Sequence, residues 1–415
     1  MSGPTDELDE RETAAGAKSR RGSVAEVFLA FRGLGLTSFG GPVAHLGDLR
    51  EAFVVRRKWL AEPAYADLVA LCHFLPGPAS SQVGIALGLM RAGYSGALAA
   101  WAAFTLPSVL LLLGFAYGVS TFSGPLMAGA LHGLKIAALA VVAQAVWQMA
   151  RSLTPDWPRR LVAIAAAAAV LLAATGVAQI AAIALAGLLG AALGRTSSAG
   201  GDSHVAETGS RGIALACLTL FLVLLAALPL LAAMTGDPAL SLADRFYRTG
   251  SLVFGGGHVV LPLLEAELVE PGLIDRDLFL AGDGAAQAVP GPLFAFAAYA
   301  GALLKSPPNG LAGSALALAA IYLPTFLLVF GALPFWQRLR RFARLRSAMD
   351  FANAAVVGLL LAALYDPVFT SAVGSPLDFA FALAAVAMLA LLRVPPWLVV
   401  ILSGAAGVLL QAIGG

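Results

Sequence analysis

The sequence predicts an all-helical polytopic membrane protein built from two inverted repeats. Three observations carry this. Of 415 residues, 59% are hydrophobic and only 12% are charged, too much apolar surface for a soluble domain to hide. Four short motifs recur in one order at nearly one spacing. The loops that follow equivalent motifs carry opposite charge bias.

The composition excludes a disordered chain, a collagen and a disulfide scaffold, since Cys72 and Cys217 are the two cysteines. Residues 1–23 form a polar tail, acidic at Asp6, Glu7, Asp9, Glu10 and Glu12 and basic at Lys18, Arg20 and Arg21. That pattern is no cleavable signal, and it predicts a disordered, cytoplasmic N-terminus. Helix-scale apolar runs follow at 24–45, 62–91, 94–118, 127–150, 159–176 and 178–194. A Gly/Ser/Thr-rich linker spans 195–211, and a connecting transmembrane helix spans 212–233. The second half has runs at 243–264, 277–304, 311–334, 347–364, 377–392 and 396–413. The expected domains are therefore a first repeat over 24–194 and a second over 243–413.

The repeats are read from four matches. Ser38-Phe39-Gly40-Gly41-Pro42 recurs as Val253-Phe254-Gly255-Gly256-Gly257, with His45 and His258 close behind. Leu75-Pro76-Gly77-Pro78 recurs as Val289-Pro290-Gly291-Pro292. Phe104-Thr105-Leu106-Pro107-Ser108 recurs as Ile321-Tyr322-Leu323-Pro324-Thr325, and Ala140-Val141-Val142-Ala143 as Ala355-Val356-Val357-Gly358. The offsets are 215, 214, 217 and 215. Such duplication is characteristic of secondary transporters.

Charge gives the orientation. Residues 46–61 carry Arg50, Arg56, Arg57 and Lys58, whereas the matching 265–277 carry Glu265, Glu267, Glu270, Asp275 and Asp277. Residues 151–160 carry Arg151, Arg159 and Arg160 against Asp366 in the matching loop. By the positive-inside rule the halves are inverted. The N-terminal tail and residues 46–61 are both basic, so 24–45 cannot simply cross. Gly40-Gly41-Pro42 breaks it instead, and Pro76-Gly77-Pro78 breaks 62–91, a run of roughly 45 Å if helical. Two re-entrant elements per half satisfy the charges, giving about nine full crossings plus four re-entrant elements.

These motifs resemble the chromate ion transporter family in its two-domain, long-chain form. The resemblance rests on Phe39-Gly40-Gly41-Pro42 with His45, on Leu75-Pro76-Gly77-Pro78-Ala79-Ser80-Ser81-Gln82, on Leu106-Pro107-Ser108, and on their second-half counterparts. It implies a bacterial inner-membrane carrier that exports chromate and confers resistance to it. Chromate is the implied ligand, with sulfate, a similar tetrahedral dianion, as competitor. Protons are the expected exchange partner. The lipid bilayer is the environment, a homodimer is compatible with the reading, and nucleic acid is not a partner. The alternatives are an importer of sulfate or another oxyanion, and a membrane sensor or scaffold without transport.

Candidate site residues follow from anion chemistry. Free N–H groups at half-helix N-termini hold anions at mid-membrane. Gly40, Gly41, Gly77, Gly255, Gly256 and Gly291 allow such breaks, or serve tight helix packing. Ser80 and Ser81 either cap a new helix or donate to the anion, and Gln82 adds an amide. His45, His258 and His73 either donate to the anion or make structural hydrogen bonds. Arg32 and Arg248 are intramembrane guanidinium candidates, and Arg245 either joins them or snorkels. Lys135 and Asp350, 215 residues apart, are expected to pair across the repeat axis or to carry a coupling proton. No P-loop, metal cluster or nucleophile elbow appears, so an enzyme, a cofactor and a metal are not expected.

Overall fold

The structure, a computed structural model, describes residues 22–39, 41–121, 124–173, 176–194, 210–253, 259–336 and 342–414. Gly40, Gly255, Gly256, His258, residues 1–21 of the tail and the 195–209 part of the linker lie outside the described residues. Those described fold almost wholly into helices and contain no strand. Five helices are long and apolar enough to cross a membrane: Ala79–Thr121, Pro125–Leu153, Arg211–Thr235, Gly310–Phe335 and Ala343–Ala372.

The first repeat opens with α1 (Val24–Thr37) and α2 (Gly41–Arg50), the two arms of the first broken element. Next come α3 (Glu62–Phe74) and α4 (Ala79–Thr121). Ala92 and Gly93 leave helical geometry inside α4, so the chain turns back there, at the gap between the predicted runs 62–91 and 94–118. Gly88 packs its backbone against Gly96 across this turn. Residues 62–91 thus make a hairpin whose tip is Leu75–Pro78. Its ends meet the start of α1: Gly22 N donates to Arg91 O at 3.0 Å, and Arg91 pairs with Glu26 at 2.8 Å. Arg50 pairs with Glu62 at 2.6 Å, and Arg91 lies over the Trp59 ring. Both broken elements therefore begin and end on one face, which carries Arg50, Arg56, Arg57 and Lys58. We call it the basic face.

The second repeat copies this upside down. Helices α9 (Pro238–Leu252) and α10 (Val260–Leu268) are the arms of its first broken element. Helices α11 (Arg276–Ala288) and α12 (Phe296–Ala302) form its second hairpin, closed by Tyr299 OH donating to Leu278 O at 2.7 Å. Helix α13 (Gly310–Ala332) runs antiparallel to the second arm of α4. Tyr117 lies beside Gly310, Trp101 packs on Tyr322, and Tyr94 packs on Phe330. The turn before α13 is thus at the opposite end from the turn at Gly93. The second pair of hairpins enters from the other face, which carries Glu270, Asp275 and Asp277. The caps match as well: Ser23 accepts from Glu26 N, and Asp237, 214 residues on, accepts from Ala239 N, each worth about 1 kcal/mol.

Around these hairpins stand α5 (Pro125–Leu153), α6 (Trp157–Ala173) and α7 (Gly176–Leu193), with their counterparts α14 (Ala343–Ala363), α15 (Pro376–Ala390) and α16 (Pro396–Gly414). The outer pairs are exchanged: α6 and α7 pack on α14, whereas α15 and α16 pack on α5. Small residues make the contacts, with Gly129 against Gly407, Gly133 against Ser403, Gly190 against Ser347 and Gly358 against Ala163. Lipid offers no hydrophobic gain for helix association, so close backbone packing takes its place. The connecting helix α8 (Arg211–Thr235) lies at the periphery on α9 and α13.

Inversion also explains why the expected Lys135–Asp350 pair does not form. Repeat mates in inverted halves sit at mirrored depths. Lys135 lies toward the acidic face and bonds Asp277 at 2.8 Å, while Asp350 lies toward the basic face, 3.6 Å from Arg159.

Candidate functional site

The four hairpin tips meet at the centre. Gly77 N donates to Val253 O at 2.6 Å, and Gly291 N donates to Ser38 O at 2.8 Å. Ser38 and Val253 are repeat mates, as are Gly77 and Gly291, so the two bonds are related by the internal symmetry. Each tip glycine has a left-handed backbone, φ +125° at Gly77 and +103° at Gly291, where a side chain is strained. Each tip is pinned from behind by its own means. Ser108 Oγ donates to Pro290 O at 2.5 Å, whereas Gln82 Nε2 donates to Pro76 O at 2.7 Å. His45 is buried, with Nε2 3.2 Å from the same Ser38 carbonyl.

Beside the second tip lies a cleft of about 440 Å³, room for on the order of fifteen waters at ~30 Å³ each. Gly41 and Gly291 line it, with Gln144 and Gln148 of α5, Gln287 of α11 and Arg393 beyond α15. The start of α2 therefore opens on a space that also receives a guanidinium and three amides. All of these can donate to an anion. Lys135 and Gln148 are thirteen residues apart on α5, about 20 Å along the axis, so the Gln148–Arg393 mouth lies toward the basic face.

Of the residues expected from the sequence, Gly41 and Gly291 line the cleft, and Gly77 and His45 hold the tips together. Ser80, Ser81 and Gln82 are buried behind the first tip, at the start of α4, and do not line the cleft. Arg248 is taken by Asp244 and, at 3.5 Å, by Glu267, and Arg245 is 3.3 Å from Glu267. Both are held by carboxylates and neither lines the cleft. Arg32 is exposed on the outer face of α1, between Leu29 and Leu36, because α1 buries Val27, Phe31 and Gly35 instead. His73 is also exposed.

Sequence reasoning missed Arg393, Gln144, Gln148, Gln287 and Asp283. A signal existed: Gln144 with Gln148, and Asp283 with Gln287, are polar pairs four apart on otherwise apolar helices, and so share a face. It also missed Thr105, Tyr322 and Thr325. The Ser81 and Thr105 hydroxyls sit beside the Tyr322 hydroxyl. None of these four hydroxyls makes a formed hydrogen bond among the described residues.

The model of the family described as "Chromate transporter" matches twice, at residues 25–191 and 240–408. The chain belongs to the chromate transporter family. Within that family it is similar to a chromate transport protein of Pseudomonas aeruginosa, 27% identical over 83% of this chain and 81% of the other. It is also similar to a chromate transport protein of Cupriavidus metallidurans, 26% identical over 89% and 88%. A third relative, an uncharacterised transporter of Methanocaldococcus jannaschii, is 24% identical over 83% and 84%. No solved structure matches. The two matched stretches of this family member start and end close to the two inverted halves.

Proposed function

We propose that this chain is an inner-membrane chromate carrier, exporting chromate with coupling to protons. The observation that carries the reading is the cleft: Arg393, three glutamines and the start of α2 surround a space ending at the Gly291 tip. A tetrahedral dianion with acceptors on every side matches such a set of donors. The relatives named as chromate transport proteins support chromate as that dianion. The basic face is cytoplasmic by the positive-inside rule. The cleft is then open inward, as an exporter needs for loading. Rocking of the tip-joined hairpins would close it and open the other side.

Inside-out vesicles test this directly. Those bearing the protein should accumulate chromate faster than empty ones, and Arg393→Gln should weaken apparent affinity roughly tenfold to a hundredfold, the loss of a charge-assisted bond of about 1.5–3 kcal/mol. Equal accumulation with and without the protein would end the reading. Accumulation of sulfate in preference to chromate would reassign it as a sulfate carrier.

A further inference from the structure

Asp283 is 2% exposed, deep in α11. Its Oδ1 accepts a 3.0 Å bond from Gln287 Nε2, and Gln287 lines the cleft. A charged carboxylate at this depth needs a cation, and among the described residues none pairs with it. Of the helices packed on α11, α4 carries Arg91 alone, at the basic face, and α12 and α16 carry no charge. Helix α5 brings His132, held by Asp378, Lys135, taken by Asp277, and Arg151, which lies over Trp147 at the basic end. Arg393 faces the cleft, where the substrate goes.

On its other side Asp283 shares a cavity of about 20 Å³ with Glu265, enough for one water. Glu265 is 8% exposed and stands 3.9 Å from Arg276, which is half-exposed at the acidic face. Asp366 and Glu270 are the other charged groups near Glu265. Cleft, Gln287, Asp283, cavity and Glu265 thus follow one another toward the acidic face, the two carboxyls being the polar groups in an otherwise apolar cavity wall.

We propose that Asp283 is the proton-coupling residue, and that its proton and the dianion in the cleft are bound together. This rests on the anion reading of the cleft given above. A dianion beside an ionised Asp283 meets a like charge across one glutamine. Protonating Asp283 removes that charge, so each ligand raises the affinity for the other, reciprocally. The proton arrives from the acidic face: Glu265 gives it to the cavity water, and that water passes one to Asp283. One O–H bond forms for each that breaks, and nothing is oxidised. The proton thus loads from the acidic face and the dianion from the basic face, and the two are held together across Gln287.

The test is proton stoichiometry on the purified full-length protein in weakly buffered alkaline solution, where chromate stays a dianion. Adding chromate to wild-type protein should take up about one proton per anion bound. Asp283→Asn should take up none, and Asp283→Glu, which keeps a carboxyl, should restore uptake. Infrared difference spectra of the wild type alone should show a protonated-carboxyl band appearing with chromate, so the idea stays testable if the asparagine variant misfolds. Chromate binding with no proton uptake, with proton release, or with full uptake in Asp283→Asn overturns the proposal. Absence of both chromate and sulfate binding to wild type would instead remove the anion reading on which it stands.

Discussion

The Gly291 tip gives a prediction whose size follows from the structure. Gly291→Ala places a Cβ on a backbone at φ +103°, where an L side chain costs roughly 1–2 kcal/mol. The same Cβ runs into Ser108 Oγ and stands 3.0 Å from Phe104 O. Ser108 must then give up the hydrogen bond to Pro290 O, leaving a buried carbonyl short of a partner at about 1–3 kcal/mol. Together the substitution should destabilise the fold by about 2–5 kcal/mol. The assay is thermal unfolding in detergent of wild type, Gly291→Ala, Ser108→Ala and the double variant. Ser108→Ala alone pays for the lost bond but removes the obstacle. The double variant should therefore cost less than the sum of the singles, by about 1 kcal/mol. Rescue stays partial because the Phe104 carbonyl is backbone. Strict additivity, or a Gly291→Ala protein as stable as wild type, would refute the reasoning.

Three further outcomes are expected. Gly77→Ala should cost less than Gly291→Ala, because its Cβ meets the movable Gln82 amide at 2.6 Å rather than backbone; an equal or larger loss of melting temperature would contradict this. A double-mutant cycle should couple Lys135 to Asp277 by about 0.5–1 kcal/mol, since Asp277 is 64% exposed, whereas Lys135 and Asp350 should be additive. With Cys217→Ser as background, Pro271→Cys should react with an impermeant thiol reagent added to intact cells and Arg57→Cys should not; labelling of Arg57→Cys from outside would reverse the orientation.

Much of the fold was legible because the strongest signals are local. Pro-Gly-Pro disfavours a continuous helix by its own backbone chemistry, and the gap between the runs 62–91 and 94–118 fell at the turn inside α4. The repeat offset gave the pairing of elements, and loop charge gave their inversion. The Lys135–Asp350 pair was misread because offset alone was taken to mean equal depth, when inversion mirrors depth. The cleft was only half visible. Gly41 and Gly291 carry motifs, but the Gln144–Gln148 pair, Gln287 and Arg393 come from three separate stretches of chain. Only folding brings them to one wall. Arg32 and Arg248 looked functional from hydropathy, which counts a charge in an apolar run but not the direction it points or the carboxylate beside it.

The exchange of outer helices has a consequence for how such a molecule is put together. Helices α6 and α7 rest on α14, and α15 and α16 on α5, so neither half wraps itself. Cut at the linker, each half would leave its own long helix bare and its last two helices without a seat. The interlocked form is what two half-length chains would build if inserted in opposite directions and clasped arm over arm. Two such pieces, co-expressed from separate messages, should reassemble into one complete carrier, while either alone should be degraded.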